Sequence, residues 1–254
     1  MRSSSTDPPS HPEPPRSRRG ISSDWEEFAR REPYFAVLTD ARFLRERVDL
    51  DEFYATGEAD IARLFADIVR YLGAPFAPRS ALDFGCGVGR LTLALTRRVP
   101  EVVGCDASET MLRLAQSAVP NATFTTELPR RAFDFVCSLT VFQHIPVSEG
   151  MPLVERLLAS LDAGGVAALH FTFRRSGGAL RRMARRVRAR VPLVHRIASR
   201  LEGDRRGLPY MQMNEYDRDA ILQRFRDAGC REPLLVPTNH GGIEGAIVIA
   251  QKRG

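Results

Sequence analysis

The chain has 254 residues, enough for one α/β domain with a large core plus extensions. A hydrophobic content of 43%, no apolar run near the ~20 residues of a membrane span, and no apolar signal-peptide region at the N-terminus predict a cytoplasmic globular protein. The net charge is +6, but twelve Arg fall within residues 174–206 and four within residues 1–20, so the remainder is net negative and does not indicate a nucleic-acid-binding domain.

The first 73 residues precede the predicted sheet. Residues 1–20 are rich in Ser, Pro and Arg and nearly free of apolar residues, a composition that cannot offset the entropy of ordering and predicts a disordered tail. Residues 21–73 show helical apolar spacing, for example at Ile61, Leu64 and Ile68. We expect a helical extension there that packs on the core or covers a ligand site.

A strand, a glycine-rich turn and a helix follow. The apolar run that ends in Asp83 predicts a buried parallel strand. Three glycines come directly after it at every second position, Gly85, Gly87 and Gly89. A turn without side chains lets a ligand lie against the backbone, facing the N–H groups and the dipole of the helix. Position 90 is Arg, whereas a dinucleotide-binding G-x-G-x-x-G turn needs a small residue there.

Two more predicted strands end near polar residues. The strand at 102–105 ends at Asp106, about twenty residues past the glycines, where a carboxylate can accept hydrogen bonds from ribose hydroxyls. The alternative is that Asp106 caps the next helix. The strand at 133–138 leads into Leu139 to His144, which should line the site because an open α/β sheet binds ligands at the carboxyl ends of its strands.

The C-terminal part contains an Arg-rich block. Residues 174–206 carry apolar stripes among the arginines, which leaves a solvated helical lid, a membrane-surface helix and a clamp for an anionic substrate as alternatives. A helix at 217–228 and two strands, 234–236 and 246–250, close the chain. Four cysteines without a C-x-x-C pair lie in or beside predicted strands, so we expect buried reduced thiols and no metal site.

Three motifs carry a family resemblance: D-x-G-x-G-x-G from Asp83, Gln-His-Ile-Pro after the strand at 133–138, and Leu-x-x-Gly-Gly from Leu161. Together they resemble class I S-adenosylmethionine (SAM)-dependent methyltransferases. The resemblance implies an α/β, Rossmann-like fold with a seven-stranded, mostly parallel sheet, one antiparallel strand near the C-terminus, and helices on both faces. The implied division is a tail (1–20), a cofactor cover (21–73), a SAM-binding core (74–173), the Arg-rich insertion (174–213) and a closing helix and hairpin (214–254).

The resemblance also implies SAM as cofactor and S-adenosylhomocysteine (SAH) as product. Asp83 would face the cationic methionine end, Asp106 the ribose, and Glu127, with a looser match, the adenine amine. The predicted cofactor-binding residues are Asp83, Gly85, Gly87, Gly89, Asp106, Tyr54, Gly57, Glu127 and Leu139.

We therefore predict methyl transfer to a small-molecule acceptor, at a hydroxyl oxygen. The missing Asn-Pro-Pro-Tyr motif after the strand at 133–138 argues against nucleic-acid bases, and an anionic or amphiphilic acceptor fits the Arg-rich block. If a general base is needed, His144 is the first candidate, with His240 and Asn239 next. The alternative is that His144 only stabilises its turn. Rival functions are an NAD-dependent oxidoreductase and a non-catalytic protein that binds SAM or RNA.

Overall fold

A seven-stranded sheet forms the centre of the computed structural model, which describes residues 16–175, 207–209, 211–239 and 242–254. Within those residues the strand order is β3-β2-β1-β4-β5-β7-β6. The strands are β1 (Ser80–Phe84), β2 (Glu101–Cys105), β3 (Thr123–Thr125), β4 (Phe133–Ser138), β5 (Leu161–Arg175), β6 (Leu234–Asn239) and β7 (Ile243–Gln251). Strand β7 is antiparallel to β5 and β6, and the other pairs are parallel, which confirms the predicted fold.

Helices cover both faces of this sheet. They are α1 (Arg16–Arg31), α2 (Pro33–Leu38), α3 (Leu50–Leu72), α4 (Arg90–Thr96), α5 (Glu109–Ala118), α6 (Val147–Ala159) and α7 (Arg218–Asp227). Helices α6 and α7 pack on one face, and α3 and α4 pack on the other. None of the helices in the described ranges is long and apolar enough to cross a membrane.

The parallel strands are apolar throughout because both of their faces are buried. In β1, Leu82 belongs to the core under α6 and α7, whereas its neighbour Ala81 belongs to the core under α3 and α4. Val103 and Val102 divide in the same way in β2. A strand covered on both sides reads as a continuous apolar run, which is why these strands could be predicted. All four cysteines are buried thiols, as predicted.

The N-terminal helix is longer than predicted. Helix α1 begins at Arg16, so the predicted tail is wrong for residues 16–20, while residues 1–15 lie outside the described part of the chain. Composition suggested a tail, but Arg is a good helix former and a helix that has already nucleated adds residues at little cost.

Glu26 holds α1 against the start of α5. Its Oε2 accepts a hydrogen bond from the Ser108 hydroxyl at 2.6 Å, and its Oε1 accepts one from the Thr110 hydroxyl. These hydrogen bonds lower the pKa of the Glu26 carboxyl, and the positive end of the α5 dipole favours its negative charge. Helix α1 is thereby fixed beside the carboxyl end of β2.

The predicted Arg-rich insertion lies mostly outside the described residues, which stop at Arg175 and resume at Gly207. Arg174 pairs with Glu244 of β7 at 2.8 Å before this segment. After it, Asn214 donates two hydrogen bonds to the Gln143 carbonyl, from its backbone N at 2.6 Å and from Nδ2 at 3.1 Å. The chain therefore leaves from and returns to fixed points on the sheet side.

Gly57 sits where α3 crosses the start of α4. An ideal Cβ on Gly57 would lie 2.3 Å from the Arg90 carbonyl oxygen, closer than packing allows. We expect Gly57→Ala to lower the free energy of unfolding by about 2 kcal/mol, because overpacking outweighs the gain in helix propensity. Urea denaturation followed by circular dichroism measures this.

Gly73→Ala is the control for that variant. Gly73 ends α3 in the left-handed region, with φ of 64°, and has no neighbour within 4 Å of an added Cβ. Its substitution should cost only about 1 kcal/mol of backbone strain. A loss for Gly57→Ala no larger than that of the control would contradict the close approach of α3 and α4.

Candidate active site

A cavity of about 600 Å³ opens at the carboxyl ends of β1, β2 and β4. This is the edge at which open α/β sheets bind ligands. Its wall includes the following predicted residues: Asp83, Gly85, Gly87, Asp106, Glu127, Leu139 and His144. The structure thus brings most of the predicted site together at one place.

The glycine turn forms the floor of the cavity in a conformation that favours glycine. Gly85, Gly87 and Gly89 have φ values of 76°, 53° and 82°, all in the left-handed region. The space beside each glycine is filled by protein, however. Ideal Cβ atoms would lie 2.3 Å from Val141 at Gly85, 3.0 Å from Val37 at Gly87, and 3.2 Å from Ala115 at Gly89.

Gly89 differs from the other two glycines in position. It is the N-cap of α4, packs on α5, and does not appear on the described cavity wall. The expectation that all three glycines present bare backbone to a ligand is therefore corrected. Gly85 and Gly87 reach the cavity, and Gly89 lets α4 and α5 approach each other.

Asp83 presents a buried carboxylate to the cavity. It is only 1% exposed, and burial raises its pKa to about 6. The Thr92 hydroxyl donates to Oδ2 at 2.7 Å and partly offsets that rise. A cation that binds in the cavity would therefore stabilise the ionised form of the Asp83 carboxylate.

Asp106 clamps the turn from the tip of β2. Its Oδ2 accepts from the Gly87 N–H and its Oδ1 from the Ser108 N–H, each at 2.9 Å. Burial nevertheless raises the pKa of the Asp106 carboxyl. Ser108, and not Asp106, is the N-cap residue of α5, with its hydroxyl accepting from the Met111 N–H at 3.2 Å. Each Asp106 oxygen keeps acceptor capacity for a ligand hydroxyl.

Tyr54 and Gly57 lie behind the turn and are absent from the described cavity wall. The Tyr54 hydroxyl donates to the Val88 carbonyl at 3.1 Å, and burial raises its pKa. Gly57 makes room for the Arg90 backbone, and the Arg90 guanidinium pairs with Asp60 at 2.7 Å. In this structure Tyr54 and Gly57 support the turn because α3 packs against α4, and their direct contacts with a ligand stay predictions.

His144 is buried and both of its ring nitrogens are engaged. Nδ1 lies 2.7 Å from the Gln212 carbonyl, which can only accept, so Nδ1 carries the proton. Nε2 then accepts from the Gln143 side-chain amide at 3.1 Å. Burial lowers the pKa of His144 to about 4, so the ring is neutral at pH 7. This arrangement supports the alternative in which His144 stabilises its turn.

The other predicted base candidates are His240 and Asn239. His240 falls outside the described residues. The Asn239 side chain accepts from the Gly242 N–H at 3.0 Å and is exposed away from the described cavity wall. His170 is a core residue whose Nε2 lies 2.9 Å from the Thr238 hydroxyl. Neither described residue is placed to act on a ligand in the cavity.

Several wall residues were not predicted as site residues. Trp25 of α1 and Val37 of α2 form part of the wall, within the segment expected to pack or to cover a ligand. Arg130, Glu149 and Arg156 also line it and were missed. The available signal was spacing: Glu149, Leu153 and Arg156 lie on one face of α6.

Comparisons with known proteins agree with this geometry. A family model described as "Methyltransferase domain" matches residues 81–165, the range from β1 to the start of β5. Strand β7 inserts antiparallel between β5 and β6, which distinguishes the sheet from a dinucleotide-binding fold. The family-model match identifies residues 81–165 as a methyltransferase domain, of the class I, SAM-dependent type that the sheet topology also indicates.

Two curated relatives and one solved structure illustrate the similarity. A trans-aconitate 2-methyltransferase from Methylobacterium radiotolerans is 38% identical over 100 residues, 37% of this chain and 38% of the relative. One from Variovorax paradoxus is 32% identical over 154 residues, 58% of each chain. The matches thus span less than two thirds of these relatives. A 1,6-didemethyltoxoflavin-N1-methyltransferase from Burkholderia thailandensis, solved with SAH and its substrate, has a TM-score of 0.58, 17% identity, and coverage of 98% and 94%.

Proposed function

We propose that this chain transfers the methyl group of SAM to an oxygen atom of a small-molecule acceptor. The observation that carries the proposal is a pair of carboxylates on the two sides of the glycine turn at the cavity floor, the buried Asp83 and the half-buried Asp106. A ligand with a cationic end and a sugar diol complements that pair. Members of this family, including the solved relative described above, are methyltransferases.

The residues present fit SAM. Asp83 would hold the cationic methionine end, because a positive charge offsets the cost of its buried carboxylate. Asp106 would accept from the ribose hydroxyls with its remaining lone pairs while the Gly87 and Ser108 N–H groups fix its orientation. Glu127, at the rim, would accept from the adenine amine, and Leu139 would form part of the wall.

When bound, SAM supplies an electrophilic methyl group on a sulfonium. The role of the chain is to position the reactants and to keep water away from them. Trp25 and Val37 add apolar surface to the cavity wall, with Val37 packed against Gly87, and an apolar environment favours a step in which opposite charges cancel. We propose residues 21–73 as the cofactor cover on this basis, with Glu26 anchoring it to α5.

An already ionised acceptor suits the site best. The sequence predicted a hydroxyl, which would need a base, but His144 has its lone pair engaged and its pKa lowered to about 4. A carboxylate oxygen needs no base. The trans-aconitate methyltransferases matched here are named for a carboxylic acid acceptor. We therefore favour a carboxylate as the methyl acceptor.

Calorimetry with SAH and the full chain tests the proposal. We expect saturable binding of SAH and none of NADH, followed by incorporation of labelled methyl from SAM into carboxylic acids of a metabolite extract. No heat with SAH would refute the proposal. Binding without any methyl transfer would favour a non-catalytic SAM-binding protein.

Replacing His144 by Phe separates a structural role from a catalytic one. The variant leaves the Gln212 carbonyl and the Gln143 amide without their partner, so we expect the free energy of unfolding to fall by about 2 kcal/mol. The rate constant kcat, measured with an acceptor from the labelling experiment, should change by less than about tenfold, whereas loss of a general base costs about 10²–10⁴.

His170→Phe is the matched control, because His170 is an equally buried imidazole in the core. It should lose comparable stability with unchanged kcat. A hundredfold fall in kcat for His144→Phe alone would restore the base assignment.

A further inference from the structure

Two arginines of the cavity wall form no ion pair with any described residue. Arg130 lies on the loop between β3 and β4, and Arg156 lies on α6; both line the cavity and are exposed. Neither has a carboxylate within ion-pair distance in the part of the chain that is described. Arg90, which also lines the cavity, is paired with Asp60 at 2.7 Å.

Their neighbours show that partners are available on this surface. Arg131, next to Arg130, pairs with Glu101 at 2.8 Å. Arg224, which packs near α6, pairs with Glu155 at 2.8 Å, one residue before Arg156. Arg130 and Arg156 line the cavity without such a partner among the described residues, so their charges act on a ligand bound there.

The positive charges of Arg130 and Arg156 are informative because SAM, the methyl donor proposed above, is itself a cation. Two guanidinium groups in the same cavity disfavour a bound cation unless an anion lies among them. The carboxylates at the glycine turn, Asp83 and Asp106, are already engaged or assigned to the donor. Glu127 also lines the cavity; it is assigned to the adenine amine and is not within ion-pair distance of either arginine. Glu149 shares the cavity face of α6 with Arg156 but lies seven residues away, about 10 Å along the helix, too far to neutralise it.

We propose that Arg130 and Arg156 bind an anionic group of the methyl acceptor, a carboxylate or a phosphate, distinct from the oxygen that receives the methyl group. The inference rests on the proposed function. Guanidinium groups match the oxygens of both anions, and two of them arriving from separate elements fix the direction of the acceptor. The reacting carboxylate oxygen forms the new O–C bond with its own lone pair, and the electron pair of the broken C–S bond stays on sulfur, so no proton is released.

Anion binding to the SAH-loaded full chain tests this inference. Calorimetry measures the binding of citrate, of inorganic phosphate and, as an uncharged probe, of glycerol to the SAH-loaded chain. The variants are Arg130→Gln, Arg156→Gln and the double variant, with Arg131→Gln as the matched control. Each single variant should weaken anion binding by about tenfold and the double variant by about a hundredfold, while the control and the affinity for SAH stay unchanged.

The outcomes are distinguishable. Tighter binding of citrate indicates that the arginines bind a carboxylate group of the acceptor, and tighter binding of phosphate indicates a phosphorylated acceptor. The inference is overturned if neither anion binds, if the double variant binds as tightly as the original chain, or if the variants weaken SAH binding equally, which would assign the arginines to the donor. Absence of SAH binding to the original chain would instead refute the methyltransferase proposal itself.

Discussion

Replacing Asp106 by Asn is expected to reduce the affinity for SAH at least a hundredfold. The carboxylate accepts from the Gly87 and Ser108 N–H groups at 2.9 Å each, and we assign its remaining lone pairs to the ribose. An amide can present only one oxygen, so its NH2 group would face one of these backbone donors. Two charge-assisted hydrogen bonds lost to the ribose, at about 1.5–3 kcal/mol each, correspond to that decrease.

Calorimetry with SAH measures the effect, and methyl transfer should fall in parallel. Asp162→Asn is the control, because Asp162 is exposed at the start of β5, away from the described cavity wall. Circular dichroism must show that the Asp106 variant is folded. An affinity within fivefold of the original chain would show that Asp106 only holds the glycine turn.

Replacing Asp83 by Asn is expected to stabilise the fold while weakening the site. The folded pKa of about 6 lies about two units above that of a free Asp, which corresponds to about 3 kcal/mol at neutral pH. Because the pKa is raised on folding, the folded state binds more protons than the unfolded state between about pH 4 and pH 6. The contribution of Asp83 to the free energy of unfolding is therefore most favourable below pH 4 and is lost as the pH rises through 6.

The Asn variant should thus gain about 2 kcal/mol in free energy of unfolding at pH 7 and nothing at pH 4, with the Thr92 hydroxyl still donating to its amide oxygen. Asp134→Asn is the control, since that carboxylate accepts from the backbone N–H groups of Arg79 and Ser80 at the opposite end of β1. No gain in stability is expected there, because the Asn variant would weaken two backbone hydrogen bonds. Denaturation at both pH values checks the sign.

The Asp83 carboxylate also couples SAH binding to proton release. A cationic ligand end lowers the pKa of Asp83, so SAH binding near pH 6 should release protons and tighten as the pH rises from 5 to 7. Calorimetry in buffers with different heats of ionisation counts those protons. In Asp83→Asn the release near pH 6 should disappear and the affinity should fall at least tenfold. An unchanged release would place the titrating group elsewhere.

Much of the fold was predictable because each parallel strand is a continuous apolar run in the sequence. Apolar runs covered on both faces identified the parallel strands, and an acid at the tip of β1 and another after β2 marked the binding edge. The position of Asp83 and Asp106 on the cavity follows directly from strand order, since the carboxyl ends of parallel neighbours lie together.

The roles of other residues could not be predicted because they depend on three-dimensional neighbours. His144 follows a strand as a base candidate should, but the side chain of Gln143 and the carbonyl of Gln212 engage both of its ring nitrogens. Tyr54 is in the expected segment, yet its hydroxyl turns to the Val88 carbonyl. Arg130 carries no local pattern that separates it from Arg131. The structure separates them, because Arg130 lines the cavity and Arg131 pairs with Glu101.

Residues 176–206 are bracketed by two anchors. Arg174 is bound to Glu244 before them, and Asn214 is bound to the Gln143 carbonyl after them, with Tyr216 donating to the Ile145 carbonyl at 2.8 Å. Because both anchors lie outside residues 176–206, we expect a change of length between them to leave the register of β5 and the turn that carries His144 in place.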